Sequence, residues 1–127
     1  MKHEVALFDL DGVVINTESQ YTGFWAGVGE RYFHSGTKFA NMIKGATLVQ
    51  IFDKYFRDAH KAQREITALL DDFEKSMSYE YIEGFPKFVS DIRRASIKTA
   101  VVTSSNIKKM ENVYRVHPEF HDLFDVI

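Results

Sequence analysis

The chain has 127 residues, a formal net charge of −2 and no cysteine. It therefore suits one compact domain without disulfides, thiolate chemistry or a Cys-ligated metal. The small net charge gives no electrostatic case for nucleic acid or an anionic membrane as partner, and no apolar segment is long enough to span a bilayer. Met1-Lys2-His3-Glu4, followed by an apolar stretch that Asp9 and Asp11 interrupt, does not read as a signal peptide, which fits a cytoplasmic protein.

The apolar run Val5-Ala6-Leu7-Phe8 reads as a buried strand over residues 4–10. Alternation along a strand would point Asp9 and Asp11 the same way. Two carboxylates that close repel unless a cation sits between them. Gly12 then breaks the strand and lets the backbone turn. Paired acids at the carboxyl end of a buried strand lie where an open α/β sheet binds its ligand.

Beyond that loop, Tyr21, Phe24, Trp25, Val28 and Tyr32 recur at helical spacing, and His34-Ser35-Gly36-Thr37 ends the helix with turn chemistry. A short piece over residues 39–43 leads to Lys44-Gly45-Ala46-Thr47. Thr47 is placed to cap a helix whose Leu48, Ile51, Phe52, Tyr55 and Phe56 share one face. Ile66, Leu69, Leu70, Phe73 and Met77 mark another helix. Residues 16–80 thus read as a bundle of short helices with no strand. Its aromatics are core, with Tyr21 or Trp25 the ones placed to face a ligand. His3, His34, His60, His117 and His121 show no ligand spacing, and none is assigned to a metal.

Glu83-Gly84-Phe85-Pro86 resets the pattern, Pro86 suiting a first helical turn. Phe88, Val89 and Ile92 give that helix a buried side. Residues 96–103 read as a second strand ending at Thr103. Ser104-Ser105-Asn106 opens a helix with Ile107, Met110, Val113 and Tyr114, which His117-Pro118 stops. Lys108 and Lys109, in its first turn, read as a solvated face. Residues 123–127 read as the start of a third strand. The alternation of strands and helices argues for an α/β fold with a parallel sheet. Thr103 offers a hydroxyl for a phosphoryl oxygen, with N–H groups of the following helix start nearby. The competing reading of this segment is plain N-capping by Ser105 or Asn106.

The segment Phe8-Asp9-Leu10-Asp11-Gly12-Val13-Val14-Ile15-Asn16-Thr17-Glu18 resembles the first motif of the haloacid dehalogenase superfamily. The similar branch is the helical-capped one that contains β-phosphoglucomutase and many small phosphatases. The resemblance implies a partial doubly wound, Rossmann-like parallel sheet, residues 1–15 and 81–127, with an inserted all-helical cap, residues 16–80. It implies Asp9 as nucleophile, forming an aspartyl-phosphate, and Asp11 as general acid/base. It implies Mg²⁺ held with Asp9 and Asp11, the latter through its backbone carbonyl. Thr103, Ser104, Ser105 and Gly12 become the phosphate-binding residues, and the substrate a small phosphorylated metabolite.

Two departures favour a phosphatase over a sugar-phosphate mutase. Tyr21 stands where mutase-like members carry a proton-transferring His. Leu48 stands where they carry a distal-phosphate Arg. A third is larger: the family's later Lys and acidic pair would lie beyond Ile127. One edge of the first strand would then lack partners and invite self-association. The alternative to an enzyme is a truncated fragment that acts only through binding. A signalling receiver, with adjacent acids after its first strand, fits the spacing less well.

Overall fold

The structure, a computed structural model, describes residues 4–127. Met1, Lys2 and His3, on which the signal-peptide reading partly rests, lie outside the described residues. In chain order the elements are β1 (Val5–Asp9), α1 (Glu18–Phe33), α2 (Gly36–Met42), α3 (Leu48–Tyr55), α4 (His60–Ser76), α5 (Phe85–Arg94), β2 (Lys98–Val102), α6 (Ile107–Val116) and α7 (Phe120–Leu123). The chain forms two compact units. One comprises residues up to Glu18 together with Ser78–Ile127, the other Ser19–Met77.

The second unit is all-helical among the described residues. Its core is Val28, Phe39, Ile43, Ile51, Phe56 and Ile66. Residues 39–43, read from sequence as a short piece of the helical bundle, belong largely to α2. The reason is packing: Phe39 sits at ring distances of 5.2 Å from both Phe33 and Tyr55, and helical geometry keeps it 3% exposed. Gly29 permits the approach, since a Cβ there would stand 2.6 Å from that of Phe39. Thr47 caps α3 as the sequence indicates. Its hydroxyl accepts from Gln50 N at 3.2 Å while Gln50 Oε1 accepts from Thr47 N at 2.9 Å.

The first unit is an α/β layer. β1 and β2 pair in parallel, with Phe8 opposite Val101 and Asp9 opposite Val102. Phe8 packs edge-on against Phe85 at 5.3 Å, which seats α5 on that face of the sheet. β2 is shorter than residues 96–103 because Ser96, with φ of 63°, turns the chain out of α5. The third strand is reduced to a bridge between Val126 and Ala100. Residues 120–123, just before it, form α7, a helical turn that carries Phe120 inward, with Phe124 following. They are 0% and 4% exposed, with rings 5.2 Å apart. Asp125 ties this end to β2, accepting from Thr99 N at 2.8 Å and Thr99 Oγ1 at 3.2 Å. That main-chain N–H holds the Asp125 carboxyl below its ordinary range. No helix among the described residues is long and apolar enough to cross a membrane.

Candidate active site

β1 ends at Asp9, so alternation along the strand does not carry on to Asp11, which lies in the following turn. That turn is tightly anchored. Val14 N and Ile15 N both donate to Leu10 O at 3.0 Å, and Gly12 N donates to Ile15 O at 2.8 Å. Leu10, Val14, Ile15 and Thr17 are all 0% exposed. Gly12 adopts φ of 80°, which a side chain would disfavour. Its N–H is engaged within the turn, so its part in the site is to shape the loop. A second anchor comes from the returning chain, where Asn16 N donates to Glu80 O at 2.8 Å and Ile82 N to Val14 O at 2.9 Å.

The two acids differ in their surroundings. Asp9 is exposed at the strand end. Its Oδ1 accepts from Leu10 N at 2.8 Å, and among the described residues nothing hydrogen-bonds its Oδ2. Asp11 has both oxygens engaged. Oδ1 accepts from the hydroxyl of buried Thr17, and Oδ2 accepts from Lys109 Nζ at 2.6 Å.

Lys109 corrects the sequence reading. It is 5% exposed, not solvated, and its ammonium forms an ion pair with a carboxylate 98 residues earlier in the chain. Periodicity held the signal: Lys109 lies four residues before Val113, on the inward stripe of α6. Thr17 was likewise visible as a residue of the motif, but with no role.

Thr103 follows β2, so it sits at the carboxyl end of the strand beside β1. Its hydroxyl is half-buried and closes a turn, contacting Ser105 Oγ at 2.8 Å and accepting from Ser105 N at 3.1 Å. Asn106 caps α6, its Oδ1 accepting from Lys109 N at 2.9 Å. Ser104 is exposed between them. The Lys109–Asp11 contact therefore brings the loop after β1 and the start of α6 to one place. Tyr21 donates to Glu74 at 2.5 Å within the helical unit.

A magnesium ion takes near-octahedral oxygen ligation. The described residues assemble no group of three or more His, Cys, Asp or Glu side chains suited to a metal. With Asp11 occupied by Thr17 and Lys109, they offer the Asp9 carboxylate and main-chain carbonyls, which do not by themselves make a magnesium shell.

A family model described as haloacid dehalogenase-like hydrolase matches residues 6–127. The chain belongs to that family. No curated protein matches the sequence. Among solved structures, the chain is similar to a family IA, variant 3 hydrolase of Entamoeba histolytica, with a TM-score of 0.71 and 17% identity over 98% of this chain and 58% of that one. It is also similar to CbbY from Rhodobacter sphaeroides in complex with phosphate, with a TM-score of 0.64 and 20% identity over 99% of this chain and 63% of that one. A third is a candidate β-phosphoglucomutase of Bacteroides vulgatus, with a TM-score of 0.67 and 20% identity over 98% and 52%. These likenesses show the haloacid dehalogenase fold. The chain spans less than two thirds of the length of each.

Proposed function

We propose that this haloacid dehalogenase-like chain supplies the nucleophile of a magnesium-dependent phosphatase for a small phosphorylated metabolite. The observation behind this reading is the asymmetry of the acids: Asp9 keeps an open carboxylate oxygen at the end of β1, while Asp11, in the following turn, has both oxygens held. Asp9 Oδ2 attacks phosphorus, the bond to the substrate's ester oxygen breaks, and Asp11, having taken a proton from solvent on an oxygen released by Lys109 or Thr17, delivers it to the departing oxygen. Water then attacks the aspartyl-phosphate, Asp11 takes its proton, and inorganic phosphate leaves with Asp9 restored. The Thr103, Ser104 and Ser105 hydroxyls hold the phosphoryl oxygens, their turn opening to an anion as hydroxyl rotors readily do. The helical unit serves as the cap that excludes water. Magnesium belongs to this proposal as a requirement of the whole site, with ligands beyond those described here, and none of the steps above passes through it. Similar structures support the substrate class: CbbY was solved with phosphate, and a variant of it with xylulose-(1,5)bisphosphate.

The test is phosphate release from a panel of sugar and nucleoside monophosphates with Mg²⁺. Activity should fall at least a hundredfold in Asp9→Asn, equivalent to about 2.7 kcal/mol of transition-state stabilisation. Turnover that survives Asp9→Asn, or its absence across the whole panel, would overturn the reading for this chain.

A further inference from the structure

The described site has a cation of its own. Lys109 is buried, its Nζ lies 2.6 Å from Asp11 Oδ2, and Thr17 fixes the other oxygen of the same carboxylate. Asn106, by capping α6 through Lys109's own main-chain N–H, sets the helix register that aims the ammonium at the loop. A lysine this buried carries a substantial desolvation cost unless its partner is fixed. Here the partner is fixed twice, by Thr17 and by the turn around Leu10, Val14 and Ile15.

We propose that Lys109 is the resident counter-cation of Asp11. It is a positioning residue that locks Asp11 into one orientation without a metal, and it opposes divalent-cation binding at the neighbouring acids. The proposal rests on the reading of Asp9 and Asp11 as the reacting pair. Its physical core is simple. A fixed ammonium already compensates the Asp11 carboxylate, and a second cation entering beside it meets repulsion from the first. The site of this chain is therefore ordered in the absence of Mg²⁺, and its Mg²⁺ affinity is weaker than the two carboxylates alone would give.

The experiment titrates Mg²⁺ alone into the 127-residue chain and follows the backbone amide resonances of Asp11 and Gly12 by NMR. Lys109→Met and Lys109→Gln remove the charge, and Lys109→Arg keeps it. The uncharged variants should bind Mg²⁺ at least tenfold more tightly than the wild type, while Lys109→Arg should stay close to it. A merely structural lysine would give the opposite, since its loss would loosen the loop and weaken binding. Equal or weaker Mg²⁺ binding in the uncharged variants, or an Arg variant that behaves like Met, would overturn the proposal. If those variants do not fold, the wild type decides. The ¹⁵N ammonium resonance of Lys109 should be visible without metal and should shift or vanish at saturating Mg²⁺, and a resonance indifferent to Mg²⁺ overturns the proposal. None of these readouts uses turnover, so failure of the phosphatase reading, seen in Asp9→Asn, is distinguishable from failure here.

Discussion

Gly12 gives a sharp test of how the loop after β1 is built. Its φ of 80° lies in the left-handed region, and an added Cβ would stand 2.6 Å from Glu18 Cδ and 2.9 Å from Glu18 Cγ. The Glu18 side chain is exposed and can swing aside, so the steric part of Gly12→Ala is cheap. The backbone part is not, because Gly12 N donates to Ile15 O and the loop on both sides is buried. Left-handed backbone costs a residue with a Cβ about 1–2 kcal/mol. At about 3–5 °C per kcal/mol for a chain of this size, Tm should fall by roughly 3–10 °C. Gly27→Ala is the matched reference. Gly27 lies inside α1 with open space where its Cβ would be, so the same substitution should stabilise by about 0.5–1 kcal/mol. Thermal unfolding followed by circular dichroism measures both. A Gly12→Ala protein that melts within about 1 °C of the wild type, or two shifts of the same sign, would refute the reasoning.

Other outcomes follow from the same contacts. Asp125, held below the ordinary 3.8 mainly by the Thr99 N–H, contributes stability that is present above that value and lost as pH falls through its lower folded value. The Tm advantage of wild type over Asp125→Asn should therefore shrink as pH drops from about 5 to 2, and an advantage independent of pH would contradict the assignment. Phe120→Ala empties a site that is 0% exposed and should cost about 3–5 kcal/mol, read from the urea midpoint at unchanged slope. With Tyr21 and Leu48 at the mutase-like positions, phosphate release should outpace any isomerisation of β-glucose 1-phosphate when both products are followed together.

Local signals carried most of the fold. The Thr47 cap, Pro86 in the first turn of α5 and the helical spacing of Ile51 and Ile66 all act within a few residues, and the structure follows them. The apolar run before Asp9 forms its strand, but Val5 and Leu7 are exposed, not buried as the run suggests, since nothing among the described residues covers that face. Distant partners decided the rest. Residues 39–43 join α2 where Phe39 buries itself among Phe33, Tyr55 and Phe56. The strand expected over residues 123–127 is reduced to a bridge at Val126, and Phe124 instead reaches the ring cluster around Phe8. Lys109 is the same lesson at the site. In sequence it is one of two lysines at a helix start, and only the fold supplies the carboxylate that justifies its burial.

The pairing of Lys109 with Asp11, and not with Asp9, bears on how work divides between the acids. A nucleophile must present a lone pair to phosphorus, and an oxygen tied to an ammonium is a poorer donor, with the cation also blocking the approach. A group that passes a proton needs instead a fixed position within hydrogen-bond reach of the reacting oxygen. The structure distributes its restraints in that pattern, with one N–H on Asp9 and one oxygen left open, against a buried hydroxyl and a buried ammonium on Asp11. Reversed roles would require Asp11 to release an oxygen before attacking, while Asp9 already has one open. On the proposed reaction, this distribution suits Asp9 to bond formation with phosphorus and leaves Asp11 for the proton.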